Sequence, residues 1–170
     1  QPLDRIPPET FARVMAINIT GVYNGIVTFA DDMRQRRSGH IVNTSSMNGL
    51  IAFATFAAYS ASKFAVTALS EALHDELAPF GVGVSILFPG LTRSRMSLAD
   101  VESGDIPAEV AQQGMMEPIW LGRAVARAVE ENQLYVISHP GYRPFLEDRF
   151  SKILDAHGEP AQPNYRGLGG

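Results

Sequence analysis

Residues 39–63, GHIVNTSSMNGLIAFATFAAYSASK, leave this chain few folds to choose from. The β-branched and apolar run at 41–44 reads as a buried strand, and Ser45 and Ser46 stand at its end. A loop containing Gly49 follows, and then a helix that carries Tyr59 and Lys63. Residues four apart on a helix share a face, so the phenol and the ammonium lie side by side. Positive charge beside a phenol favours phenolate, which makes such a pair an acid/base device. A serine hydroxyl at the adjacent strand end is placed to hold the oxygen of a carbonyl or alcohol.

The flanking segments extend the alternation of strand and helix. PPET at 7–10 puts proline and an acid at a helix start, where both are favoured. Phe11, Val14, Met15, Ile17, Val22, Ile26, Phe29 and Met33 then repeat at close to 3.6 residues, and Gly39 follows as a stop signal. Asn18 and Gly21 fall inside this 9–37 helix, where both are poor formers. Taken alone they read as a solvent-facing asparagine and a close-packing glycine. The helix predicted over 57–80 is apolar nearly all round, so it needs covering on more than one side. His74 reads there as a solvated or capping histidine. Gly81 and Gly83 lead into an apolar strand at 84–88 of the parallel-sheet kind, which Pro89 stops and Gly90 leaves open to close backbone approach.

Residues 97–117 are mixed and read as an irregular lid, with Met96, Leu98, Met115, Met116 and Trp120 as an apolar lining or as ordinary packing. A helix at 118–132, a strand at 134–138 and a helix at 143–156 complete the chain, with His139 and Pro140 read as a turn. Alternating strands and helices predict a parallel sheet with right-handed crossovers. Ligands of such sheets sit beyond the carboxyl ends of the strands, where Ser46 and Gly90 fall.

Ser46, Tyr59 and Lys63, with thirteen positions from serine to tyrosine and a YxxxK pair, resemble the active site of the short-chain dehydrogenases/reductases. Asn18 in MAINITGVYNG matches the fourth member of that family's tetrad, and Phe88-Pro89-Gly90 is similar to its PG motif. The resemblance runs from Leu3 to about Arg149. It implies an α/β, Rossmann-like doubly wound parallel sheet, represented by its C-terminal part of about three strands and four to five helices. Residues 1–157 would form that catalytic portion, and 158–170 a Gly/Pro-rich tail. It implies NAD or NADP as cofactor and a small alcohol or ketone as substrate. By the same resemblance, Asn18, Ser46, Tyr59 and Lys63 are catalytic, and the asparagine perturbs its helix so that its carbonyl holds a water near the lysine. Tyr59, Lys63, Pro89, Gly90, Thr92 and Ser94 are the cofactor-binding candidates. Ser46, Asn48 and Met96 are the substrate-binding candidates. LTRSRM after Gly90 departs from the usual PGxVxT, with Thr92 in a position where a branched apolar residue is common and Ser94 in that of the threonine. Homo-oligomerisation through the 9–37 and 57–80 helices is also expected.

Composition narrows the alternatives. A net charge of −4, with no basic run longer than Arg36-Arg37, argues against nucleic acid as partner. The absence of cysteine removes disulfides, thiolate metal sites and a cysteine nucleophile, and fits a cytoplasmic location. No metal site is expected, because no second histidine stands at metal spacing from His74. The apolar run at 50–59 is about half the ~20 residues of a membrane helix. No glycine-rich strand-to-helix turn for a pyrophosphate precedes the site, and Gly167-Leu168-Gly169-Gly170 has no helix after it. The chain therefore reads as the catalytic half of a domain, with an open sheet edge at its first strand. Two other readings remain: a non-catalytic oligomerisation module of this fold, and an epimerase or dehydratase using the same tyrosine and lysine.

Overall fold

A computed structural model describes residues 1–112 and 114–158. The chain divides into two compact units, residues 1–140 and the residues from Gly141 onward. The first unit is built on three parallel strands, β1 (His40–Thr44), β2 (Gly83–Phe88) and β3 (Tyr135–Ile137), in the order β1-β2-β3. His40 pairs with Gly83 and Thr44 with Leu87, while Ile86 pairs with Tyr135 and Phe88 with Ile137. Every residue of the central strand β2 is buried, Ser85 included, as expected of a strand covered on both faces.

Helices cover both faces of this sheet, the doubly wound arrangement that the alternation predicts. The helices are α1 (Pro8–Met15), α2 (Gly21–Arg36), α3 (Ala57–Leu77), α4 (Arg95–Glu102), α5 (Ala108–Gln112) and α6 (Pro118–Glu130). Ala30 of α2 and Leu73 and Leu77 of α3 pack with Val82 and Val84 on one side. Ala128 of α6 packs with Leu87 and Val136 on the other. Pro8 and Pro118 each occupy a first helical turn, where a missing N–H costs nothing. Among the described residues no helix is long and apolar enough to cross a membrane. The unit that begins at Gly141 contains α7 (Arg143–Asp155), laced by the i, i+4 ion pairs Arg143–Glu147 and Lys152–Asp148. The Gly/Pro-rich tail beyond Gly158 lies outside the described residues.

Four local expectations need correction. Residues 97–117 are not simply irregular, because α4 and α5 form within and beside them. Ser94 starts α4 with a reciprocal cap, its hydroxyl accepting from the Ser97 N–H while Ser97 Oγ accepts from the Ser94 N–H. The 9–37 helix is not uniform either. A π-helical segment, Ala16–Thr20, joins α1 to α2 and centres on Asn18. The stop of α2 is set by Arg37 rather than Gly39. Arg37 takes the left-handed conformation (φ 54°) and its guanidinium donates to the Pro79 carbonyl at 2.9 Å. His74, in the last turn of α3, is half-buried rather than fully solvated, and its Nδ1 is buried without a hydrogen-bond partner.

At the amino ends of the strands, His40 Nε2 lies 2.8 Å from Ser85 Oγ, which itself donates to the Gln133 carbonyl at 2.7 Å. The serine proton is thus committed, and Nε2–H is the donor of the first bond. Burial first, and then the neighbouring His74, lowers the His40 imidazole below the ordinary histidine value. The network lies at the end of the sheet opposite Ser46 and Gly90, and it links the starts of all three strands.

Candidate active site

Helix α3 approaches β1 through hydroxyls as much as through hydrocarbon. Ser60, Ser62, Thr67 and Ser70 are all buried along it. Ser62, Thr67 and Ser70 donate back to the Tyr59, Lys63 and Val66 carbonyls of their own helix, which satisfies their protons without lengthening the contact. Their oxygens then receive partners from the strand side. Asn43 donates to Ser70 Oγ at 2.9 Å, and Ser45 Oγ lies 3.0 Å from Thr67 Oγ1 and 2.9 Å from the Lys63 carbonyl. These bonds fix the face of α3 that bears Tyr59 and Lys63 against the end of β1.

Ser46 follows at once. The backbone beyond β1 stays tied to β2, with Ser45 N–H on the Leu87 carbonyl and Met47 N–H on that of Pro89, both at 2.9 Å. Ser46 is 7% exposed and caps the 3-10 turn Met47–Gly49, its Oγ accepting from the Asn48 N–H at 3.2 Å. Its own proton points to the Pro89 carbonyl at 3.5 Å, the outer limit of a hydrogen bond. A better acceptor placed beside Ser46 would take that proton over. Asn48 donates from its amide to Ser60 Oγ at 3.2 Å, so the serine loop is pinned one residue from Tyr59.

Tyr59 and Lys63 are both half-buried, with the ammonium 5.6 Å from the centre of the phenol ring. Lys63 Nζ donates to the Thr44 carbonyl at 3.0 Å, which anchors it at the carboxyl end of β1. Burial lowers the Lys63 ammonium below the ordinary lysine value. Asn18 reaches the same helix from the π-segment, its amide donating to Ser62 Oγ at 2.9 Å. π-Bulges inside α-helices occur frequently at functional sites. Ser46, Tyr59, Lys63 and Asn18 thus meet around one helix and one strand end.

Pro89, Gly90 and Thr92 form the turn after β2, where Thr92 Oγ1 donates to the Gly90 carbonyl at 3.1 Å. Thr92 also bridges to Met116, with Arg93 N–H on the Met116 carbonyl and Met116 N–H on that of Leu91. Ser94 spends its hydroxyl on the cap of α4, and Met96 stands 63% exposed on that helix. An open groove of about 420 Å³ is lined by Gly114, Met115, Met116, Glu117, Trp120 and His139. Three of these are the apolar residues expected of a lid.

Three contributors escaped the sequence reading. Ser62 mediates the Asn18 contact, and Ser60 holds Asn48. His139, read as part of a turn, accepts the Gly90 N–H on Nδ1 at 3.0 Å. None of these three carries a spacing signal, because each partner lies 12 to 49 residues away.

Ser46, Tyr59 and Lys63 thus stand at the carboxyl end of β1 in a parallel α/β sheet. The sequence model of the short chain dehydrogenase family matches residues 1–103. This chain belongs to that family. It is 33% identical over 170 residues to the C alpha-dehydrogenase of Sphingobium sp. (strain NBRC 103272 / SYK-6), covering 91% of this chain and 56% of that protein. It resembles the LigD apo form from Sphingobium sp. strain SYK-6 with a TM-score of 0.76 and 30% identity, over 94% of this chain and 60% of the other. A short-chain dehydrogenase from Sphingobium yanoikuyae in complex with NADPH gives a TM-score of 0.73 and 25% identity, over 98% and 64%. The chain thus spans a little over half the length of the relative it matches.

Proposed function

We propose that the polypeptide carrying this chain is an NAD(P)-dependent oxidoreductase acting on a carbonyl or a secondary alcohol. The observation that carries the reading is the convergence of Ser46, Tyr59 and Lys63 on the carboxyl ends of β1 and β2. A bound nicotinamide supplies or accepts the hydride. Tyr59 gives a proton to the substrate oxygen in reduction and takes it back in oxidation. Ser46 holds that oxygen with the proton it now directs weakly at Pro89, so the substrate displaces only a 3.5 Å bond. Lys63 holds the nucleotide ribose and keeps positive charge beside the phenol. Asn18, on its π-segment, offers its carbonyl to a water that leads from Lys63 to solvent.

The donor set suits the nicotinamide-ribose end of a dinucleotide. The Lys63 ammonium has three protons, and one of them reaches Thr44, while the Pro89-Gly90 turn presents backbone next to Ser46. The relative bound to NADPH is consistent with this choice. The groove of Met115, Met116 and Trp120 suits a hydrophobic alcohol or ketone, with Met96 and Asn48 as further contacts. A cytoplasmic location belongs to this reading and rests on the cysteine-free composition.

Fluorescence titration of NADH and NADPH against the natural full-length polypeptide tests the proposal. Binding of at least one nucleotide is expected. Binding of neither would move the non-catalytic module to the front.

The same reading includes self-association. Tyr23, Val27 and Phe29 of α2 are 51%, 53% and 59% exposed, Tyr23 and Val27 as neighbours four apart on one side of the helix. Ala61, Ala68 and Ala72 of α3 are exposed as well. A second copy of the polypeptide would cover both helices. Light scattering should give a multiple of the monomer mass, and a monomer at micromolar concentration would remove this part of the reading.

A further inference from the structure

We infer that His139 is a positioning residue that sets the turn after β2 and so fixes nucleotide affinity; this rests on the oxidoreductase reading above. The imidazole spans both sides of the turn. Nδ1 accepts the Gly90 N–H at 3.0 Å, and Nε2 lies 3.2 Å from the Leu91 carbonyl. A nitrogen that accepts a backbone N–H carries no proton, so the proton is on Nε2, which donates to Leu91. Ser138 Oγ approaches the same Nδ1 at 2.8 Å and also reaches the Phe88 carbonyl at 3.3 Å. The ring is therefore held from the end of β3 while it grips the loop after β2.

Gly90 is glycine because of this ring. A Cβ on Gly90 would stand 2.6 Å from His139 Cγ and 2.9 Å from its Nδ1, well inside contact distance. Its backbone is not in the left-handed region, so conformational freedom is not the reason. The close approach that a glycine permits is made here by a side chain of the protein itself. Immediately before this turn, the Pro89 carbonyl receives both the Met47 N–H and the Ser46 hydroxyl. His139 also lines the groove with Met115, Met116 and Trp120. One side chain thus touches the turn assigned to the nucleotide and the wall assigned to the substrate. Displacing the turn by an ångström is a large error for a group that must be oriented.

Four substitutions separate the hydrogen bonds from the bulk of the ring. His139→Ala removes both bonds and the bulk. His139→Phe keeps a ring and removes both bonds. His139→Asn restores an acceptor where Nδ1 stood, and His139→Gln restores a donor where Nε2 stood. Each is made in the natural full-length polypeptide, checked for folding by circular dichroism, and titrated with NADH and NADPH. Alanine, phenylalanine and glutamine should weaken binding of the preferred nucleotide by about tenfold, and asparagine should return it to within about threefold. KM for the nucleotide should follow the same order, with kcat at saturation changing less. Phenylalanine binding as tightly as histidine, or asparagine as weakly as alanine, would overturn the inference while leaving the oxidoreductase reading intact. Failure of the unsubstituted polypeptide to bind either nucleotide would overturn both.

Discussion

Tyr59→Phe is expected to lower turnover by about 10²–10⁴-fold while nucleotide affinity stays close to that of the unsubstituted polypeptide. The substitution removes one oxygen and keeps the ring over which the Lys63 ammonium lies, 5.6 Å from its centre. The lysine therefore keeps its cation–π contact and its bond to the Thr44 carbonyl. No neighbour is placed to replace the lost acid. Ser46 is an alcohol that positions an oxygen, while Asn18 donates to Ser62, whose own proton goes to the Tyr59 carbonyl. The loss should therefore fall on kcat and spare binding, as expected when an interaction made only in the transition state is removed. Steady-state kinetics beside nucleotide titration separates the two. Turnover within about threefold of normal would mean that the proton travels by another route, and the assignment of Tyr59 would be withdrawn.

What the sequence made legible is what lies close in sequence or follows a period. Tyr59 and Lys63 are four apart, and Ser46 ends a run whose apolar character alone places it in a buried strand. The parallel direction of the strands follows from the same alternation, because parallel strands need crossovers, while their order comes from the structure. Asn18 was legible only through the resemblance, since a π-segment has no local signature beyond a poor helix former in a good helix. The hydroxyl seam of α3 was not legible. Its aliphatic residues drew attention as the core, whereas Ser62 and Ser70 are fully buried and Ala61 and Ala68 are exposed. A serine that bonds its own helix carbonyl is as easily buried as an alanine, so composition does not reveal which face is inside. Helices α4 and α5 were missed because Gly104, Pro107 and Gly114 break the period and the helices have only 8 and 5 residues. His74 and His139 carried no signal at all. One ring nitrogen lies buried without a partner, the other holds a loop 49 residues away, and both facts belong to the tertiary structure.

Gly49→Ala should damage both stability and turnover, although the residue touches no substrate in the proposed reaction. Gly49 is buried in the 3-10 turn that Ser46 caps, and its carbonyl lies 3.2 Å from Thr67 Oγ1. A Cβ there would collide with Ser45 Oγ and stand 2.8 Å from both the Lys63 carbonyl and Thr67 Oγ1. A flexible side-chain end could yield, but the Lys63 carbonyl is backbone of α3 and already accepts from Ser45 and Thr67. The turn must therefore move away from the helix and take Ser46 and Asn48 with it. Overpacking of this kind costs about 1–3 kcal/mol. For a chain of this size that corresponds to roughly 2–12 °C in Tm. Misplacing Ser46 by about an ångström relative to Tyr59 would cost on the order of 10²-fold in kcat. Gly122→Ala is the control, because Gly122 lies in α6, outside the proposed self-association face, with nothing within 4 Å of a new Cβ. Alanine there should be neutral or stabilise by about 0.5–1 kcal/mol. If Gly49→Ala matched the unsubstituted polypeptide in Tm and kcat, the serine loop would not depend on its contact with α3. Equal losses in both alanine variants would instead trace the effect to the loss of glycine itself. The expected pattern, a loss at 49 and none at 122, makes the narrow space between β1 and α3 the feature that holds Ser46 beside Tyr59.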